Sequence, residues 1–209
     1  MHNSTNIMRT ELSGIGLNNT MKGIRLVPDL LAIVVFWGLC VFNTQADTDY
    51  VKDRAYLTGT YSGEVAYGFP HGYGTYSYYG GDLYVGEFKY NRLHGGGSLK
   101  FSNGDSYVGE FRNDKRHGQG TYSFLNGDTY SGEFASNQFN GLGTYIFSDG
   151  AQYTGQWRED KRHGEGIYIF LNGDAYSGEF RRDQRHGFGT YTYADGETYS
   201  GEWSEDKRH

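Results

Sequence analysis

From Tyr61 onward the chain alternates apolar and polar positions in short bursts. In the stretch that opens at Tyr107, Tyr107, Gly109 and Phe111 alternate with Val108 and Glu110, and Tyr122 and Phe124 flank Ser123. A period of two predicts β-strands with one face apolar. Between the second of these strands and Tyr130 lies Asn126-Gly127-Asp128, and Asn-Gly or Asp-Gly recurs at Asn103-Gly104, Asp149-Gly150, Asn172-Gly173 and Asp195-Gly196. These dipeptides predict a tight hairpin turn there, with both central residues at positive φ. The other connection, Arg112 to Gly118, holds charged residues and a histidine and is predicted to be a longer loop.

The bursts recur every 23 residues. A Tyr-x-Gly-Glu/Gln segment starts at Tyr61, Tyr84, Tyr107, Tyr130, Tyr153, Tyr176 and Tyr199. A fixed short period marks a repeat array in which each unit needs its neighbours to bury its apolar face. The predicted fold is all-β: an elongated single-layer antiparallel meander of hairpin repeats, two strands per unit, preceded by an N-terminal apolar helix. One face carries the aromatic residues. Along the middle of the array these are Tyr107, Phe111, Tyr122, Phe124, Tyr130, Phe134, Tyr145, Phe147, Tyr153, Trp157, Tyr168, Phe170, Tyr176 and Phe180, and they form the candidate partner-binding surface. The glycine third in each unit lies among these rings, and is expected to leave room for a ring from the neighbouring strand. Burial of one such ring stabilises by roughly 1.5–3 kcal/mol, enough over three or four rings per unit to offset much of the ordering entropy.

Of the 209 residues, 33 are Gly, 20 Tyr and only 2 Pro; the ring content sets the chain apart from Gly-rich linkers, which have nothing to bury. Net charge is −6, and residues 1–46 carry +1, so the remainder carries −7. That balance predicts no nucleic-acid binding, which needs a basic surface. The one cysteine, Cys40, lies outside the repeats, so they have no disulfide framework or thiolate zinc site.

Residues 30–42 (LLAIVVFWGLCVF) form an apolar run behind Lys22 and Arg25, followed by Thr44-Gln45-Ala46. The pattern describes a secretory signal peptide cleaved before Asp47, with an uncleaved anchor as the alternative. Both place the repeats across a membrane, in the secretory pathway or anchored to it. The chain therefore divides into a signal-like segment 1–46, a linker or partial N-terminal cap 47–60, and seven repeats 61–209. The seventh stops at His209, so its hairpin is incomplete, and either its second strand is expected to lie beyond this sequence or its last strand to pair with a partner.

Y-x-G-E-F/W, a charged segment ending in H-G-x-G, then T-Y and N/D-G resembles the MORN (membrane occupation and recognition nexus) repeat. YVGEF…KRHGQGTY, YTGQW…KRHGEGIY and YSGEF…QRHGFGTY match almost throughout; the first and fourth units depart at Val65 and at Ser136–Asn140. The resemblance implies a β-sheet scaffold that binds proteins, dimerises or attaches to membranes, and roles that are mainly cytosolic. It also leaves open a regulatory array of a lipid kinase or a SET-domain methyltransferase, and direct phosphoinositide binding.

Three columns of polar residues are candidate chemistry. Histidines recur at His71, His94, His117, His163, His186 and His209, with Asn140 in the fourth unit. At two strands, or about 10 Å, apart they are too far apart to share a metal, and are expected to order the loop. The glutamates Glu64, Glu87, Glu110, Glu133, Glu179 and Glu202 are expected to form a solvated acidic stripe. Lys115-Arg116, Lys161-Arg162, Lys207-Arg208 and Arg185 line up along one edge, where they can meet anionic lipid headgroups. With no nucleophile elbow, P-loop or Cys-His pair in the repeats, the chain is expected to be non-catalytic, without metal or cofactor. Its expected partner is a peptide or helix lying in the aromatic groove.

Overall fold

A computed structural model describes residues 48–209; the expected signal segment and apolar helix lie outside these residues. The strands are β1 (Thr48–Tyr56), β2 (Gly59–Ala66), β3 (Phe69–Tyr78), β4 (Leu83–Lys89) and β5 (Arg92–Lys100). They continue with β6 (Ser106–Arg112), β7 (Lys115–Ser123), β8 (Thr129–Ala135), β9 (Gln138–Ile146) and β10 (Gln152–Arg158). The last are β11 (Lys161–Ile169), β12 (Ala175–Arg181), β13 (Gln184–Thr192), β14 (Thr198–Ser204) and β15 (Lys207–Arg208). All fifteen form one antiparallel sheet in strict chain order. Residues 48–56, expected as linker or partial cap, pair along β2, and Tyr56 closes over Tyr61 at 6.4 Å.

A single layer has no second layer to bury its apolar face, yet the first tyrosine of each of the first six units is completely inaccessible. The third-unit ring shows why. Tyr107 lies flat along the sheet over Gly109 and Gly120, which face each other across β6 and β7. A Cβ on Gly120 would stand 2.4 Å from the Tyr107 hydroxyl oxygen, and one on Gly109 2.5 Å from the Gly120 Cα. The rings of Phe111 and Phe134 stand edge-on to Tyr107, each 5.0 Å away. The hydroxyl donates to the Glu110 carbonyl at 2.9 Å, so the buried polar end is satisfied. The glycines thus make room for a ring, as expected; for Gly109 it is the ring of its own strand.

The two connections exchange the roles predicted for them. The tight turn sits at the charged end: Asn113 and Asp114 have φ of 51° and 66° and directly join Arg112 to its strand partner Lys115. At the Asn-Gly end only the glycine takes positive φ, 94° at Gly127. That loop closes through Gly127 N–H to Phe124 O (3.0 Å) and Phe124 N–H to Asp128 O (2.9 Å). The long charged loop is replaced by strand β7, with a bulge between the Gly109–Gly120 and Glu110–His117 pairs. At the bulge Gly118 has φ of 60°, and the Glu110 carboxylate accepts from Gln119 N–H at 3.1 Å. Glu64, Glu87, Glu133 and Glu179 do the same in their units. This column holds bulges in place and is more than a solvated stripe.

Two adjacent glycines test the packing. Gly97→Ala puts a methyl carbon 2.3 Å from the buried Tyr84 hydroxyl and lowers stability by roughly 1–3 kcal/mol, the cost of overpacking, while Gly96→Ala, whose nearest neighbour is at 3.6 Å, leaves it nearly unchanged. Chemical denaturation of both variants reads the difference.

Candidate functional site

The aromatic face divides into two zones. Tyr107, Phe111, Tyr130, Phe134, Tyr153, Trp157, Tyr176 and Phe180 are buried; they are core, closed over by one another, and cannot contact a partner. This corrects their assignment to the binding surface. The second strand of each unit carries the zone that remains. Phe124, Tyr145, Phe147, Tyr168 and Phe170 are half-buried, and Tyr122 is buried beside them. Their rings follow one another across the strands at 4.6 Å (Tyr122–Phe124), 5.8 Å (Phe124–Tyr145), 4.6 Å (Tyr145–Phe147), 5.9 Å (Phe147–Tyr168) and 4.5 Å (Tyr168–Phe170). Tyr191 and Tyr193 extend this ladder.

The basic pairs lie on strands rather than loops, and their two members go to different places. Lys115, Lys161 and Lys207 are exposed. The arginines turn onto the rings: Arg116 lies over Tyr122 at 4.7 Å, Arg162 over Tyr168 at 5.2 Å, Arg185 over Trp203 at 4.3 Å and Arg208 over Tyr199 at 4.7 Å. Arg116 also donates to the Asn137 carbonyl, and Arg162 and Arg185 to the Asp183 and Asp206 carbonyls. A guanidinium is planar and weakly hydrated, so it covers a ring while keeping its donors occupied. These arginines lie over aromatic rings, and Arg208 is also exposed. The histidines from His71 to His186 also sit on the second strands, and His71 Nδ1 accepts from Tyr90 N–H at 3.5 Å. Among the described residues no group of His, Cys, Asp and Glu side chains could hold a metal ion.

The repeating unit of ring, glycine pair and bulge runs through the first six units, and the MORN repeat pattern matches at residues 61–83, 84–106, 107–129, 130–152, 153–175, 176–198 and 199–209. The chain belongs to the MORN repeat family. No curated protein matches it. Among solved structures, it is similar to the TCP domain of Drosophila melanogaster SAS-4 (dCPAP), solved in complex with a proline-rich motif of Ana2. That match has 16% identity and a TM-score of 0.40, covering 62% of this chain and 72% of that one. The TCP10 domain of Danio rerio CPAP, solved with a STIL peptide, matches at 13% identity and a TM-score of 0.25, covering 63% and 68%. These likenesses are too distant to carry an argument about function.

Two acidic columns that sequence reasoning missed stitch the MORN units together. In the third to seventh units the aspartate or asparagine second in the tight turn accepts from the backbone of the preceding unit: Asp114 from Leu93 N–H, Asn137 from Arg116, Asp160 from Phe139, Asp183 from Arg162 and Asp206 from Arg185. From the second unit on that position is always Asn or Asp, which was the available signal, since Asn and Asp tolerate positive φ better than other non-glycine residues. In the second column, Asp105, Asp128 and Asp174 accept from the hydroxyls of Tyr122, Tyr145 and Tyr191, one unit further on. They also accept from backbone N–H groups of the adjacent turn, at Leu125, Ser148 and Ala194. Between the fourth and fifth units Ala151 replaces the aspartate, and the Tyr168 hydroxyl has no hydrogen-bond partner among the described residues.

The tyrosine hydroxyl bond holds each of these three carboxyls below the usual aspartate range, while burial first and then the Asp105 bond push Tyr122 up to about 12. A folded pKa below the unfolded value of about 3.9 stabilises above that value, and the contribution is lost as pH falls through the depressed one. The Asp105→Asn/Asp128→Asn/Asp174→Asn variant is thus less stable than the parent at pH 7, and the gap closes in acid. Denaturation midpoints across the pH range check this.

Proposed function

We propose that this MORN array is a non-catalytic scaffold that binds a segment of a partner protein against its aromatic ladder. The observation that carries this reading is the unbroken run of half-buried rings from Phe124 to Phe170, flanked by arginines. A contiguous aromatic surface that stays partly accessible is a candidate interaction site, and aromatic and arginine side chains are the groups enriched at binding hot spots. The sheet beneath is braced by the inter-unit hydrogen bonds, so little ordering is required of it on binding. Binding of this kind serves a free-standing scaffold and a regulatory array of a larger enzyme equally. Attachment to an anionic membrane rests on less, because the arginines counted toward it lie on the aromatic face. Lys115, Lys161 and Lys207 remain, each worth about 1 kcal/mol at a charged surface, on a region of net negative charge.

Selection of random twelve-residue displayed peptides on the array tests the reading. Enriched peptides are expected to bind the Phe147→Ser/Phe170→Ser variant at least tenfold more weakly, and to bind Val108→Thr, on the opposite face, as they bind the parent. Peptides that bind the ladder variant undiminished contradict the assignment.

A further inference from the structure

The ladder has a spatial period, and the period selects the conformation of what lies on it. One MORN unit advances it by two strands, about 9.6 Å at about 4.8 Å per strand. A polyproline II helix rises about 3.1 Å per residue with three residues per turn, so each third side chain returns after about 9.3 Å. Its slip against the ladder is about 0.3 Å per unit, or about 1.2 Å over four units. An α-helix comes closest at seven residues, about 10.5 Å, and slips about 0.9 Å per unit. An extended strand covers one unit in three residues, but its side chains alternate, so it presents the same face only at every second unit.

The chemistry of the rail fits the same occupant. A polyproline II backbone makes no internal hydrogen bonds and keeps its carbonyls available to donors. The rail offers one: the Tyr168 hydroxyl, in the middle of the ladder, has lost the aspartate that engages its counterparts at Tyr122, Tyr145 and Tyr191. Beside the tyrosines lie Arg116, 4.7 Å from the Tyr122 ring, Arg162, 5.2 Å from Tyr168, and Arg185, 5.7 Å from Tyr191, with Phe139 in the arginine's place in the fourth unit. Arg116 faces the neutral Asn137 where Arg162 and Arg185 face aspartates, and makes no ion pair among the described residues. The carboxylates of the rail, Asp105, Asp128 and Asp174, are each occupied by a tyrosine hydroxyl and backbone N–H groups.

We infer that the occupant of the ladder is a proline-rich segment in polyproline II conformation that carries an acidic residue. It lies across the strands at three residues per unit, with prolines on the rings and a carboxylate toward Arg116, the arginine that faces no aspartate across its turn. Four units accommodate about twelve residues at this rise. The inference rests on the protein-binding reading above and names the class of its partner.

The probe is fluorescein-labelled (Pro-Pro-Glu)5, titrated by anisotropy into the array. The comparison peptides are (Gly-Ser-Glu)5, of equal charge without the preformed helix, and (Pro-Pro-Lys)5, of opposite charge. The expected result is saturable binding of (Pro-Pro-Glu)5, at least tenfold tighter than either comparison peptide. It weakens several-fold in Tyr168→Phe and at least tenfold in Phe147→Ser/Phe170→Ser, and the probe displaces the display-selected peptides. If (Pro-Pro-Glu)5 binds no better than (Gly-Ser-Glu)5 while selected peptides still depend on the ladder, the polyproline inference fails and the protein-binding reading stands. If the selected peptides are also indifferent to the ladder variant, both fail. Equal binding of (Pro-Pro-Lys)5 overturns the assignment of an acidic partner.

Discussion

A tyrosine ring lying on a pair of facing glycines is the contact on which the rest of this array depends. A one-layer sheet has nothing above it to exclude water, so it must build its core within the thickness of its own side chains. Removing two Cβ atoms, at Gly109 and Gly120, sinks the Tyr107 ring onto the backbone, where the Phe111 and Phe134 rings wall it in. Since one wall comes from the next unit, the buried ring of each repeat is completed only by its neighbour. This is the nearest-neighbour coupling that makes a repeat array cooperative. The hydroxyl bond to the carbonyl three residues on favours tyrosine over phenylalanine at this position.

The same geometry determines what is left for function. Rings on the first strand of each unit are spent on the core, and arginines from the second strand roof them. Rings further along the second strand, such as Phe147 and Phe170, pack against neighbouring rings of the ladder and stay half-buried. The proposed binding face is therefore the part of the aromatic surface that the core does not consume. Its period is inherited from the strand spacing, which links the fold to the kind of segment it can receive.

Much of this was legible in the sequence. The period of 23 residues and the alternation around each Tyr-x-Gly-Glu/Gln give the strands, their order and the aromatic face. Three features were not. The tight turns were assigned to Asn-Gly, a strong general signal, whereas pairs as varied as Asn113-Asp114, Glu159-Asp160 and Arg182-Asp183 adopt them; pairing across the turn and the bond back to the previous unit override local preference there. The arginines were grouped with their lysine neighbours as surface charge, but alternation along a strand sends adjacent residues to opposite faces, and a guanidinium can end on a ring. The aromatic residues were treated as one surface, because a pattern of period two says which face a ring is on and nothing about how deep it lies.

The most direct test of the ring-on-glycine core is a double-mutant cycle between Tyr84 and Gly97, whose added Cβ would meet the ring edge at 2.5 Å. The account predicts that Gly97→Ala is costly in the parent and nearly free once Tyr84→Ala has removed the ring, a coupling larger than about 1 kcal/mol, well beyond the about 0.3–0.5 kcal/mol within which independent sites add. Equal costs in the two backgrounds would show that the glycine is required for some other reason, and the core would have to be explained without it.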